Sequence, residues 1–261
     1  MTAIFKQERD TIAGLGMLSA TYVRFDPELI TNNSVSHARG YNVQSLIIDN
    51  ADGDVLAIEG NRIHQDGNPL QHAEQMGVRA AIARLHEKRP RDPSMSVESY
   101  YKTQLFMAPG KTESDFENKG CTLYNTFDPC GMCAVTLLVS YMKRIAYLFD
   151  DATFEKVYED MRFYFKNRDS VKESLSLVEF TDAGNPLVEG AQLISGLRTK
   201  VNTLKQQGTM LVMTLDKCYD DLKKANELFL QVTPSHFKTT DAEKVRNENT
   251  LVGIRRLLNL N

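Results

Sequence analysis

Cys130 and Cys133 form a C-x-x-C pair, and on its own this pair admits three readings: a metal clip, a redox dithiol, or chance. A structural zinc finger needs a second pair of ligands at similar spacing, and the sequence has no second C-x-x-C. A redox pair would instead make Cys130 the attacking thiolate and would need no metal partner. The decision depends on what else converges on the pair. His72-Ala73-Glu74 opens one expected helix and Pro129-Cys130-Gly131-Met132-Cys133 opens another, each after a loop that comes off a strand. If those strands are neighbours in one sheet, both helix starts lie at the same edge and His72, Cys130 and Cys133 can meet. Cysteines three apart share one face of a first helical turn, and the positive end of a helix favours the thiolate a metal requires.

Two thiolates and a neutral imidazole make a soft donor set suited to Zn2+. Three protein ligands leave the fourth position of zinc to water, which separates a catalytic site from a structural one, and the metal lowers the pKa of that water towards about 7. Glu74 stands two residues from His72, where the looser geometry of a helix start lets both side chains face one pocket. A carboxylate that is not itself a ligand can there take a proton from water and pass it on. The other two cysteines, Cys121 and Cys218, sit in apolar stretches with no ligand-spaced partners and read as core.

The elements that must position these residues follow from periodicity. Strands are expected over Gln44–Asp49 and Asp54–Glu59, joined as a hairpin by Asn50-Ala51-Asp52-Gly53, and again over Cys121–Thr126, Arg144–Phe149 and Leu175–Phe180. Helices are expected over His72–Lys88, from after Asp128-Pro129 to Met142, and over Phe154–Phe165. Strands alternating with helices predict an α/β fold: a three-layer α/β/α domain on a five-stranded mixed sheet, with a helical C-terminal extension. The polar, Pro- and Gly-broken stretch Arg89 to Lys119 reads as an insertion too long for a plain connector. Beyond Pro186, apolar residues recur at alternating three and four spacing from Ile194 to Val232, interrupted in phase at Gly208. That seam is either one helix or a hairpin, and it packs on its own sheet or dimerises as a coiled coil. The expected division is a unit over 1–186 that holds the His72, Cys130 and Cys133 constellation and carries the insertion at 89–119, and a helical region over 187–261.

Composition bounds the class. The hydrophobic fraction of 42% and charged fraction of 25% exclude a disordered or fibrous chain. With 31 Lys and Arg against 34 Asp and Glu, the net charge of −3 builds in no strongly basic surface for nucleic acid. No apolar run approaches the roughly 18 to 20 residues that cross a bilayer. Met1 to Asp10 carries charges of both signs and does not read as a signal peptide, so a cytoplasmic setting is expected.

With these residues in view, the chain resembles the cytidine deaminase superfamily, whose signature is H-x-E … P-C-x-x-C. Within it, the sequence is more similar to the tRNA adenosine deaminase and guanine deaminase branch. The matching residues are Asn61-Arg62, Asp66 to Pro69, His72-Ala73-Glu74, and Thr122-Leu123-Tyr124 leading to Pro129-Cys130-Gly131-Met132-Cys133-Ala134. The likeness spans Asn42 to Phe180. It implies that His72, Cys130 and Cys133 hold zinc and that Glu74 shuttles protons. It further implies that Asn61 hydrogen-bonds the substrate ring, and that backbone groups near Ala73 and Pro129 position base and water. Read from the residues alone, the amide of Asn61 suits the edge of a heterocycle, with a strand-capping turn residue as its alternative, and His64 either lines the pocket mouth or faces solvent on the loop. Three features depart from the branch: Asp128 stands where glutamate is usual, His72 and Cys130 are 58 residues apart, about twice the usual separation, and the tail past Gly208 has no counterpart.

The activity these features imply is zinc-dependent hydrolysis of a C–N bond in a cyclic amidine: an aminated nucleobase, nucleoside or related small heterocycle loses its exocyclic amine as ammonia. Two alternatives stand beside it: a tRNA adenosine deaminase acting on a flipped anticodon base, and an inactive deaminase-like scaffold that binds a partner through the tail. Scattered Lys and Arg interleaved with Asp in the tail argue against nucleic acid as partner. The expected partners are therefore a small aminated heterocycle and water, with no membrane, in a homo-oligomer, most simply a dimer. Phe163, Tyr164 and Phe165 read as core by helical spacing, and Tyr100 and Tyr101 are the other candidates for stacking on a base.

Overall fold

In a computed structural model, residues 2–24, 41–100, 120–151, 155–164 and 170–260 are described. The chain opens with helix α1 (Thr2–Arg24), followed by strands β1 (Gln44–Asp49) and β2 (Val55–Gly60). Helix α2 (Ala73–Lys88), a single turn α3 (Val97–Tyr100), strand β3 (Cys121–Phe127) and helix α4 (Gly131–Val139) come next. Then follow β4 (Arg144–Phe149), α5 (Glu155–Tyr164), β5 (Val171–Ser174) and the helices α6 (Pro186–Gln206), α7 (Tyr219–Gln231) and α8 (Asp241–Leu258). The five strands make one mixed sheet in the order β2-β1-β3-β4-β5. β1 is antiparallel to β2 and β3, whereas β3-β4 and β4-β5 are parallel.

Alternation along the strands divides the core between two faces. Ile47, Leu123 and Ile145 pack with Val78, Ala81 and Leu85 of α2, Leu137 and Leu138 of α4, and Tyr158 of α5. Their neighbours Leu46, Ile48, Tyr124, Ala146 and Leu148 point the other way, into a cluster with α1, α6, α7 and α8. Helices cover both faces, which is the three-layer α/β/α arrangement with a helical C-terminal region. Strands buried on both sides are near-continuous apolar runs, as in Leu46-Ile47-Ile48.

Helix α1 is absent from the sequence expectations. Its centre, Glu8-Arg9-Asp10, reads as a solvated charge run, and yet all three residues are buried. The two carboxylates find their partners far away in the chain, while the Arg9 guanidinium lies over the nearby Phe5 ring at 4.6 Å. Asp10 accepts from both terminal nitrogens of Arg144, from the Tyr124 hydroxyl and from the Ser176 backbone. Glu8 accepts from Thr239, Asn247 and the backbone N–H of Lys238. Gly16 lets α1 approach α8, since a Cβ there would stand 2.8 Å from Ile254 Cδ1.

The fifth strand is Val171–Ser174 rather than Leu175–Phe180. Beyond Leu175, backbone donors leave the sheet for α1: the Ser176 N–H goes to Asp10 and the Val178 N–H to Thr11. The tail is a hairpin. α6 ends in a Schellman motif, with Gly208 N–H bonded to Lys205 O and Thr209 N–H to Leu204 O, and Gly208 at φ 86° supplies the left-handed residue. The apolar seam faces inward, with Ile194, Leu197, Leu215, Leu222 and Phe229 all in the cluster beneath α1. No helix among the described residues is long and apolar enough to cross a membrane.

Candidate metal centre and active site

Helices α2 and α4 lie on the same face of the sheet, and each begins at the end of a loop from a strand. His72 and Cys130 are their N-caps, with extended backbones at φ −73°, ψ 146° and φ −62°, ψ 164°. Extended caps turn both side chains towards the positive helix ends, and Cys133 joins them from the first turn of α4. His72 Nδ1 stands 3.7 Å from Cys130 Sγ and 3.4 Å from Cys133 Sγ, and the three ligand atoms all lie within 4.8 Å of one another. Zn–S and Zn–N bonds at a tetrahedral angle put sulfur and nitrogen about 3.6 Å apart, so the set fits Zn2+. His72 and Cys130 are half-buried and Cys133 is buried.

The electrostatics are those of thiols awaiting a cation. Hydrogen bonds from the Cys133 thiol and from His72 pull Cys130 down to about 4, and the bond to Cys130 raises His72. Cys133 is pushed up by its bond to that thiolate and by burial. A bound dication would drive both sulfurs to thiolate.

Glu74 is the second residue of α2, so the extended cap and the first turn bring it to the same pocket as His72. Its side chain is buried, which raises its pKa. Oε1 accepts from Asn125 Nδ2 at 2.9 Å, while Oε2 has no hydrogen-bond partner among the described residues.

Asn61 lies just past β2, where the structure shows it as a turn residue. Its Oδ1 accepts from the Ile63 N–H at 3.1 Å as a turn cap, which leaves Nδ2 without a partner among the described residues. Ala73 is fully buried in the first turn of α2, and Pro129 is buried between Asp128 and Cys130. The turn that carries Pro129 is held by Asp128, whose two oxygens accept from Lys172 Nζ of β5 at 3.0 and 2.8 Å. Burial nevertheless pushes Asp128 up to about 6. His64 is exposed on the loop, edge-on to Tyr41 at 5.5 Å.

Two aromatic expectations are overturned. Tyr100 is 1% exposed, with its hydroxyl donating to Arg89 O and its ring against His86, so it is core and not a stacking platform. Phe163 is 69% exposed on the outer side of α5, not core. Tyr101, Phe165 and the 101–119 part of the insertion lie outside the described residues.

Asn125, Ser45 and Lys172 escaped the sequence reading. Asn125 and Ser45 occupy strand positions whose phase is that of core residues, and they stand directly opposite each other across β1 and β3. A polar residue in a core phase was the available signal.

Residues 28–149 match the cytidine and deoxycytidylate deaminase zinc-binding region, beginning earlier and ending earlier than the stretch expected from the motifs. The match covers just under half of the chain and includes His72, Cys130 and Cys133, and over that stretch the chain is similar to the cytidine deaminase superfamily. Among solved structures it is similar to a protein from work on tRNA:A34 deaminases, at 21% identity and TM-score 0.34, covering 56% of this chain and 92% of that one. A guanine deaminase from Nitrosomonas europaea aligns at 14% identity and TM-score 0.38, covering 66% and 80%. The dCMP deaminase of cyanophage S-TIM5 aligns at 15% identity and TM-score 0.29, covering 57% and 99%. No curated protein matches the chain at a significant level.

Proposed function

We propose that this chain hydrolyses an aminated nucleobase, nucleoside or related small heterocycle, replacing an exocyclic amine with oxygen and releasing ammonia. The observation that carries this reading is the buried carboxylate of Glu74, with one oxygen unpaired, beside a three-donor set of two cysteines and a histidine. His72, Cys130 and Cys133 would hold zinc, which when bound supplies a Lewis acid able to make water nucleophilic near neutral pH. Glu74 Oε2 accepts the proton released as water adds to the ring carbon that carries the amine. Glu74 delivers that proton to the adjacent ring nitrogen, then takes a second from the hydroxyl now on the carbon and passes it to the departing amine, so that C–O becomes C=O, C–N breaks and the carboxylate ends unprotonated as it began. Asn61 offers its free Nδ2 to an acceptor on the ring edge, and the backbone of Ala73 and Pro129 frames the other side. In this reading residues 1–186 carry the chemistry, and 187–261 cover the opposite face of the sheet.

The test is ammonia release by the zinc-loaded protein across a panel of aminated bases, nucleosides and nucleotides, with bulk tRNA as a further arm. Turnover of a free ring supports the proposal, whereas deamination of tRNA alone replaces it. Glu74→Ala is expected to abolish ammonia release while zinc stays bound at one equivalent. Undiminished turnover in that variant removes Glu74 from the chemistry.

A further inference from the structure

The Asn125 side chain is spanned by three hydrogen bonds that leave its amide a single orientation. Ser45 Oγ–H donates to Oδ1 at 2.5 Å. Nδ2 donates to Glu74 Oε1 at 2.9 Å and to the Phe127 carbonyl at 2.7 Å. A carbonyl accepts only, so the nitrogen must face Phe127 and cannot exchange places with the oxygen. Asn125 is buried, and its partner Ser45 is its direct neighbour across the β1-β3 ladder. One amide thus joins the first turn of α2, which carries Glu74, to the strand end that leads into Pro129 and Cys130.

A group that moves protons between water and a ring nitrogen must present one oxygen in a constant place. Rotation about the last side-chain torsion of a glutamate exchanges its two oxygens, and that torsion is broad and soft. An amide donor fixed on Oε1 removes this freedom and leaves Oε2 without a geometric hydrogen-bond partner among the described residues, on a carboxylate that interacts with Cys130, His72 and the Cys133 thiol. We infer that Asn125, oriented by Ser45, is a positioning residue that assigns the two oxygens of Glu74 different tasks: Oε1 anchored to the sheet, Oε2 presented to the reacting atoms. The inference rests on the deaminase reading above and adds to it the device that aims the carboxylate.

The experiment has a kinetic arm and an arm that needs no turnover. Asn125→Leu removes both N–H donors and keeps the branched shape at Cγ, with a somewhat larger side chain. In the zinc-loaded enzyme it is expected to lower kcat by about 10- to 100-fold on the ring that the wild type deaminates fastest, with KM within about threefold and zinc still at one equivalent. Ser45→Ala removes the donor that holds Oδ1 and loosens the amide, and is expected to lower kcat by a smaller factor, while Ser45→Thr, which keeps the hydroxyl, restores it. An unchanged kcat in zinc-loaded Asn125→Leu, or a loss confined to KM, overturns the inference. If that variant does not fold, the Ser45 pair decides in the same way. The second arm follows the side-chain amide of Asn125 in the 15N-labelled, zinc-loaded protein by NMR. Both protons are expected to exchange slowly with solvent, and Glu74→Ala should release one of them while the one on Phe127 stays protected. Two freely exchanging protons in the wild type overturn the inference. A wild type that deaminates nothing in the panel while this protection pattern holds instead removes the deaminase reading and leaves the Asn125–Glu74 anchor standing.

Discussion

The attachment of α1 to the sheet makes a quantitative prediction at Asp10. Its carboxylate is fully buried and accepts from Arg144 Nη1 at 2.8 Å and Nη2 at 2.7 Å, Tyr124 Oη at 3.0 Å and the Ser176 N–H at 2.9 Å. Arg144 is 9% exposed, and its remaining carboxylate partner is the half-exposed Glu173 at 2.6 Å. Asp10→Ala therefore strands a buried guanidinium and a buried hydroxyl together, and removing one partner of such a pair costs about 3 to 5 kcal/mol. For a chain of this size that is a fall in Tm of roughly 6 to 20 °C. Urea unfolding of the zinc-loaded protein, followed by circular dichroism, should show a lower midpoint at an unchanged slope. The double variant Asp10→Leu with Arg144→Met should recover most of the loss, because apolar replacement of a buried pair is often neutral. A single-variant loss under about 1 kcal/mol, or strictly additive losses in the double variant, would refute the claim that this pair anchors the helix.

Two glycines of α6 should respond to alanine with opposite sign. At Gly190 a Cβ would stand 2.6 Å from Leu15 Cδ1, in a core where Leu15 is fully buried, so Gly190→Ala should cost about 1 to 3 kcal/mol by overpacking. Nothing lies within 4 Å of a Cβ at Gly196, so Gly196→Ala should stabilise by about 0.5 to 1 kcal/mol; equal midpoints in thermal unfolding would count against both. In reduced protein stripped of metal, Cys130 is held down to about 4 and stays a thiolate above that pH, so its alkylation by iodoacetamide should be flat from about pH 6 to 8. A rate that climbs tenfold per pH unit would mean an ordinary thiol.

The two motif helices were legible because their chemistry and their boundaries coincide: His72 and Cys130 are at once ligand types and the last extended residues before an apolar helix. Strands β1 and β4 were legible to the residue because each carries a continuous apolar run, Leu46–Ile48 and Ile145–Phe149, bounded by polar residues and turns. Helix α1 was hidden by Glu8-Arg9-Asp10 and by Gly14 and Gly16, whose compensations are residues 134 positions away in Arg144 and 239 positions away in Asn247. Local pattern carries no information about such partners. The fifth strand was misplaced for a related reason. The four residues Val171–Ser174 look polar because they form the edge strand, while the more apolar stretch after them gives its backbone donors to α1. Asn125 is visible as a polar residue in an apolar phase, but its meaning appears only once the register sets it opposite Ser45 and under Glu74.

Glu8 near the start of the chain closes on Lys238, Thr239 and Asn247 near its end. Loop closure over such a span is slow, and contacts of this range are the last to form. During translation the apolar side of α1 leaves the ribosome long before α8 exists to cover it. Until α8 emerges, the side of α1 that packs on it has no cover, and apolar surface there stays open to solvent during synthesis.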